Sequence, residues 1–550
     1  MRSTLRRPFG LLTTVFTASL SACSDAAQPL DPASDIATVT VAADTTVLAP
    51  GESTQLVATA SDADGEVVSG AAFTWESEAP AVATVNAAGQ VTALGAGSAL
   101  LAATSDGVRG TVTITVRVPV ASVSLTPDSA DVFAGSILTL AAQARDAANI
   151  PLTGRTITWT VDDTAVASVN STGIVTGKSP GVATITAASE GHAASAQIVV
   201  SMRPLASIVD SLRLAWNMPA MGGAIVTLQD GVTAVAVAGT RRASGGAPVT
   251  TEDLWHLGSN TKAMTSLLAA VAVSQERIQW TTTVAEAFAE LSNIRPEYQG
   301  VTLRDLLSHQ SGFPRDVAPS VYASGPTADV QRAATVTWAV QAAPASPYGV
   351  YEYSNVGVII ASAMVERAFG ISYEAAMAAH IHTPLEMDDA GWGPQAAVGT
   401  TTQPVPHLWN GGSWVVFEGY DIPPANNSSG RAHMSLASWG RFIHEILRVE
   451  AGSSTVADAA VAQQTTTAVV PVIPGSSYGL GWGVSTRPWA NGKVLYHDGS
   501  NGANHSLTFV APVLDVAFLV TTNGYDPGGR SGQALHALML RLLTYHETGR

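Results

Sequence analysis

Two textures of hydrophobic and polar positions succeed each other along the chain. Between about residues 37 and 201, apolar and polar residues alternate in short runs, such as Ser98–Ala103 and Val182–Ala187, broken by Gly, Pro, Asn and Asp. Alternation with a period of two predicts half-buried strands, and many short strands at even spacing predict β-sandwiches. The pattern also repeats. Thr74-Trp75 returns as Thr158-Trp159, Val85-Asn86 as Val169-Asn170, Gly89 as Gly173 and Gly97 as Gly181, each shifted by the same distance. A gapless repeat of this kind predicts two copies of one structural unit.

From about residue 204 helical periodicity enters. Met264, Leu267, Leu268 and Val271 fall at i, i+3, i+4 and i+7, predicting a helix over 259–276. Thr302–Ser308 and Asn355–Ala368 also read as helical. Ile225–Leu228 and Val232–Val237 flank Asp230-Gly231, a hairpin signal. Leu480–Thr486, Val494–His497 and Leu507–Val510 read as strands. This part is a mixed α and β domain. Before both textures, Phe9–Leu20 is a short apolar run behind Arg2, Arg6 and Arg7. It is too short for a stable span and has the form of a secretory signal.

Composition narrows the function classes. The chain has 550 residues, 46% of them hydrophobic and 13% charged, with a formal net charge of −16. Length predicts several domains, and composition a folded protein. An acidic chain without basic runs lacks the electrostatic footprint of a nucleic-acid binder. The only cysteine is Cys23, so no internal disulfide is expected. Leu20-Ser21-Ala22-Cys23 resembles a bacterial lipobox, which implies lipidation at Cys23 and attachment to a bacterial membrane, periplasmic or at the cell surface. The expected boundaries are a signal peptide over 1–22, a tether over 23–36, β modules over 37–118 and 119–202, and the mixed domain over 203–550. The repeat motif resembles bacterial immunoglobulin-like modules of group 2. Such modules imply either a spacer or contact with the cell wall or a surface partner.

Three short segments carry candidate chemistry. Lysine is scarce (Lys178, Lys262 and Lys493), yet one lies three residues after Ser259. On a helix, i and i+3 share a face, so the amine can lie beside the hydroxyl. Lysine can become a base when crowded or buried, whereas arginine cannot. Tyr353-Ser354-Asn355 opens a predicted helix. A tyrosine near a lysine cation can have its pKa lowered and act as general base, and Asn355 offers a donor and an acceptor. His497-Asp498-Gly499-Ser500 lies on a predicted strand, where Gly499 permits close approach of substrate and the Ser500 N–H can pair with that of Ser259 as an oxyanion hole.

In this order, the three segments resemble the serine β-lactamase and penicillin-binding superfamily, in its class C-like branch of β-lactamases, esterases and D-peptidases. Leu306–Gly312, Pro384–Met387 and Tyr478–Gly483 resemble further segments of that branch. The resemblance implies an antiparallel sheet flanked by helices, with a helical subdomain. It also implies that Ser259 is acylated, that Lys262 and Tyr353 manage its proton, and that Asn355, His497, Gly499 and Ser500 bind substrate. Class C β-lactamases have Lys-Thr-Gly where this chain has His497-Asp498-Gly499, and that lysine helps hold a substrate carboxylate. A mostly neutral histidine there ranks an ester, an amide or a D-peptide above a β-lactam as the substrate. β-Lactamase or D-alanyl-D-alanine carboxypeptidase activity is the alternative, and a surface-binding protein with an inactive hydrolase fold is the alternative of another class.

Other patterns carry less. Gly475-Ser476-Ser477-Tyr478-Gly479 has the esterase-elbow spacing but lacks a following helical pattern. His433, His444 and His505 lack metal-ligand spacing, His309 reads as packing at a turn, and no Gly-rich phosphate loop is found. Neither metal nor cofactor is expected.

Overall fold

The computed structural model describes residues 35–243 and 245–548. Cys23 and the signal-like segment therefore lie outside the described residues. The chain divides into two compact units. One takes residues up to 126 with 141–158 and 186–195, and the other takes 127–140, 159–185 and the chain from 196 onward.

The first β module has two four-stranded sheets. In one, the strands Thr38–Ala43, Ser53–Ser61, Gln90–Ala93 and Ala83–Val85 lie side by side in that order. In the other, the order is Val47–Leu48, Val108–Val116, Gly97–Ser105 and Thr74–Ser77. Leu48, Leu56, Val91, Leu101 and Ile114 are buried in its core. The second module contains the antiparallel pair Ser122–Thr126 and Ala141–Arg145, and the parallel pair Ser129–Phe133 with Gln197–Ser201.

The repeat has a physical basis. In each copy an asparagine builds the same turn: the Asn86 side-chain oxygen accepts from the amides of Ala88 and Gln90, and that of Asn170 from Thr172 and Ile174. The glycine after each turn has a positive φ, and an added Cβ would press on the indole of Trp75 at Gly89 or Trp159 at Gly173. Tryptophan, asparagine and glycine therefore recur together because they pack together.

The mixed domain is built on an eight-stranded antiparallel sheet. Its strands run, in spatial order, Gly231–Gly239, Ala220–Thr227, Val516–Thr522, His505–Ala511, Gly492–Ser500, Gly483–Arg487, Ser476–Tyr478 and Val470–Ile473. The expected hairpin closes at Asp230-Gly231, where Thr227 pairs with Gly231. The central strands read as unbroken apolar runs because both faces are covered. Val516, Phe518 and Val520 point to the core shared with Ile208, Val209, Leu535, Leu538 and Leu542 of the first and last helices of the domain. Ala517 and Leu519 point the other way, to the larger core formed with Trp439, Phe442 and Ile443 of the helix Leu436–Glu450 and with the helix Thr261–Ser274.

Three details differ from the sequence-based expectation. The strand expected over 480–486 begins only at Gly483 and runs to Arg487. The helix expected over 259–276 begins as a 3₁₀ turn, Gly258–Asn260, and becomes α-helical only from Thr261 to Ser274. The helix expected over 302–308 spans Leu303–Leu307, because Thr302 and Asp305 form a capping box and Ser308 is already its C-cap. Among the described residues, no single helix is long and apolar enough to cross a membrane.

Candidate active site

Ser259 sits in the 3₁₀ turn, partly exposed at the base of a cleft of ≈ 570 Å³. The turn is fastened from three sides. The buried Asn260 side chain donates to Ser506 Oγ at 2.8 Å and accepts from Thr508 Oγ1 at 2.8 Å. Ser506 Oγ donates to the Leu257 carbonyl at 2.8 Å, and Thr261 Oγ1 to the Gly258 carbonyl at 2.7 Å. The turn thereby lies directly against the strand Gly492–Ser500, and only glycines fit at the crossing. A Cβ at Gly258 would stand 2.3 Å from the Ser500 nitrogen, and one at Gly499 would stand 2.1 Å from the Leu257 oxygen. The Ser500 amide is therefore at the nucleophile turn. Its side chain turns away to the Asn504 carbonyl.

Lys262, one turn further on, is fully buried. Its Nζ lies 3.1 Å from Ser259 Oγ, donates to Asn355 Oδ1 at 2.7 Å and donates to the Ser429 carbonyl at 2.5 Å. Burial pushes its pKa well below the usual lysine range; Asp316 opposes this and Arg315 adds to it. Asn355 is held in turn, since its Nδ2 donates to Asp316 Oδ1 at 2.6 Å.

Tyr353 donates from its hydroxyl to Ser259 Oγ at 2.8 Å. Its place is set by the next residue: Ser354 caps the helix Asn355–Phe369 by accepting from the Gly357 amide, and donates to the Pro314 carbonyl. Sequence reasoning had a lysine cation lowering the Tyr353 pKa. In the structure burial raises it well above the usual phenol value, against the Ser259 hydrogen bond. The neighbouring amine is itself pushed towards its neutral form by burial, and the Arg315 guanidinium over the Tyr353 ring offsets the desolvation of the phenol only in part.

His309 does occupy a turn, with φ of 63°, but it also backs the site. Its ring packs 4.4 Å from Tyr353 and 4.8 Å from Tyr478, and its Nδ1 accepts from the Ser354 amide at 3.2 Å. With a proton absent from Nδ1, and burial driving its pKa well below the usual value, the ring is a neutral wedge behind the tyrosine.

His497 lines the cleft, yet neither ring nitrogen is free. Its Nδ1 lies 2.9 Å from the Asp498 carbonyl, which can only accept, so Nδ1 carries the proton. Nε2 then accepts from the Tyr478 hydroxyl at 3.0 Å. Burial lowers its pKa to about 4. His497 thus offers a substrate shape but no charge.

The structure brings Ser259, Lys262, Tyr353, Asn355, His497, Gly499 and Ser500 to one place. Arg315, Tyr351, Tyr478, Tyr496, Asp498 and Tyr525, none of which was singled out from sequence, also line the cleft. Asn260 was legible in principle, as a polar residue at the start of a mostly apolar helix. The Ser429 carbonyl was not, because a backbone group carries no sequence signal. Ser476-Ser477-Tyr478, the elbow decoy, is a β-strand with no helix behind it. Among the described residues, no group of three His, Cys, Asp or Glu side chains is placed to hold a metal.

A family model described as Beta-lactamase matches residues 217–542, and one described as Bacterial Ig-like domain (group 2) matches residues 35–116 and 119–200. An unguisins hydrolase of Aspergillus campestris is 25% identical over 60% of this chain, which spans 63% of that relative's length. Penicillin-binding protein 4 of Amycolatopsis lactamdurans is 24% identical over 57% of this chain and 83% of its own. The octameric penicillin-binding protein homologue from Pyrococcus abyssi superposes with a TM-score of 0.51, at 21% identity, over 62% of this chain and 76% of its own. That likeness is one of fold.

Proposed function

Because the chain belongs to the beta-lactamase family and is a serine hydrolase, we propose that it cleaves an ester or an amide through an acyl-enzyme on Ser259. The observation that carries this reading is the arrangement around Lys262 Nζ. A neutral amine has two N–H groups and one lone pair. The Asn355 oxygen and the Ser429 carbonyl can only accept, so they take the two N–H groups. The lone pair is left for the Ser259 hydroxyl, and Lys262 is the base.

Ser259 Oγ attacks the substrate carbonyl carbon as its proton passes to Lys262 Nζ. The carbonyl oxygen becomes negative and takes the N–H groups of Ser259 and Ser500. The bond to the leaving group then breaks. The leaving group departs with a proton from the Tyr353 hydroxyl, which is reprotonated from Lys262. In the second half a water attacks the acyl ester and gives its proton to the same pair, and Ser259 leaves with one. Tyr353 serves as a relay, which suits a phenol held neutral.

The neutral, fully engaged His497 supports an ester or a D-amino-acid peptide or amide over a β-lactam or a carboxypeptidase substrate, whose carboxylate would find no cation at this position. The test is initial rates on a short-chain p-nitrophenyl ester and on nitrocefin, for the wild type and Ser259→Ala. The expected result is ester turnover, poor nitrocefin turnover, and loss of both in the variant. Ester turnover that survives in Ser259→Ala would remove Ser259 as the nucleophile, and equal rates on nitrocefin would make β-lactamase the better reading.

The proposal extends to the cell. Lipidation at Cys23 would hold the enzyme outside the cytoplasm on a bacterial membrane, with the two Ig-like modules as spacer or surface contact. Labelled palmitate is expected in the wild-type protein and absent from Cys23→Ser, and equal labelling of both would sink the anchor.

A further inference from the structure

The cleft around Ser259 carries charge of both signs. Among the described residues that line it, the permanently charged side chains are Arg315 and Asp498. The Arg315 side chain is 64% exposed; its guanidinium lies over the Tyr353 ring, 5.1 Å from the centroid, and 3.7 Å from Asp316. Asp498 is the carboxylate of the cleft. Its side chain is 65% exposed, and its ion-pair-range contact among the described residues is the ring of His505, with Nε2 3.0 Å from Oδ1. That ring is itself oriented by Ser531 Oγ at its Nδ1, 2.8 Å away. Ser531 Oγ accepts from the Asp526 amide, which leaves its own proton to donate to Nδ1, so Nε2–H is the donor to Asp498. One carboxylate oxygen is thus pinned, and the carboxylate is held on the strand that carries Gly499 and Ser500.

The walls near this anion are aromatic. Tyr351, Tyr353, Tyr478, Tyr496 and Tyr525 all line the cleft, and Tyr525 packs 5.6 Å from the His505 ring. Tyrosine faces attract cations and a carboxylate pairs with them, so both features favour a positive group. They disfavour a substrate carboxylate at the same strand. The overall charge of −16 works in the same direction on encounter.

We propose that Asp498 is a specificity residue that binds a protonated amine near the scissile carbonyl, so that this hydrolase selects aminoacyl esters or amides with a free amine. The proposal rests on the serine-hydrolase reading of the same cleft and names its substrate class.

The experiment uses the full chain. D- and L-alanine p-nitroanilides are compared with their N-acetyl counterparts, with p-nitrophenyl acetate as the substrate lacking charge. D- and L-alaninamide and their N-acetyl forms are also tested as inhibitors of p-nitrophenyl acetate hydrolysis. The free amine is expected to win by on the order of tenfold to a hundredfold in kcat/KM, chiefly through KM, and to inhibit more strongly by a similar factor. The advantage fades as pH rises past the amine's own pKa, near ~8. In Asp498→Asn the ratio of free to acetylated substrate falls towards one. Equal or better binding of the acetylated compounds by the wild type overturns the proposal, as does an unchanged ratio in Asp498→Asn. The competition readout decides the matter even when neither anilide is cleaved, and the wild-type comparison decides it even when the variant does not fold. Loss of p-nitrophenyl acetate turnover itself, or turnover independent of Ser259, is instead the failure of the underlying hydrolase reading.

Discussion

Lys262→Arg is expected to lower kcat by on the order of 10⁴-fold or more, and Lys262→Met by a similar amount, the scale seen when a member of a coupled catalytic set is removed. Methionine keeps the length of the side chain but has no basic nitrogen to take the Ser259 proton, its thioether sulfur being only a weak acceptor. Arginine keeps a donor but stays protonated at every accessible pH. The two variants together separate a base from a mere hydrogen-bond donor: if Lys262 only positioned Ser259, arginine would restore part of the activity that methionine loses. The wild-type pH profile gives the same information by another route. The folded pKa of Lys262 is depressed by burial, so the amine is the active base above that value and gains a proton below it. Activity on a substrate without titrating groups is expected to fall as pH decreases through the folded lysine value, and a flat acid side would contradict the assignment. The linkage to stability has the same direction. Between the folded and the unfolded lysine values the unfolded chain binds the extra proton, so this residue makes stability rise with pH across that window.

The second large effect lies away from the cleft. Arg332→Met is expected to destabilise the hydrolase domain by about 3–5 kcal/mol, the usual cost of removing one partner from a buried ion pair. Arg332 is 1% exposed. Its Nε donates to Glu366 at 2.6 Å, and its two terminal nitrogens donate to Glu374 at 3.1 and 2.9 Å, joining the helices Ala328–Ala339, Asn355–Phe369 and Tyr373–Met377. Burial raises the Glu374 pKa, but the Arg332 hydrogen bonds and charge more than offset it and hold the carboxylate below its ordinary value. The stabilisation from Glu374 is therefore present above the unfolded carboxylate pKa and is lost as pH falls through the folded one. In the variant the carboxylate, left without its cation, would make stability improve on mild acidification instead. Urea unfolding of both proteins at pH 7 and pH 5 tests both statements. A midpoint shift equivalent to less than ~1 kcal/mol would show that the pair is worth no more than a surface bridge. The same network reaches the active site, because Glu374 accepts from Asn427, two residues before the Ser429 carbonyl that holds Lys262. Some loss of kcat should accompany the loss of stability.

Much of this protein is written locally. The repeated Trp, Asn and Gly announce two copies of one β module because each module packs its own indole over its own turn. The period-2 and period-3.6 patterns mark the hairpin at Asp230-Gly231 and the helices at Thr261 and Asn355, since side-chain direction follows backbone geometry over a few residues. The i, i+3 spacing of Ser259 and Lys262 is of the same kind. The helix beginning at residue 259 was less legible: the 3₁₀ turn Gly258–Asn260 exists because Asn260 and Thr261 are pulled onto strands and loops more than 160 residues away in the chain.

What the sequence determined by itself was the list of reacting groups and the order in which the chain delivers them. What only the tertiary structure decided was their state. Burial pushes the Lys262 amine towards its neutral form, burial holds the Tyr353 phenol protonated against the Ser259 hydrogen bond and Arg315, and His497 is silent because Tyr478 occupies its last nitrogen. Protonation and charge are set by burial and by distance between groups remote in sequence, and these come into being only when the sheet and the helices close around the cleft.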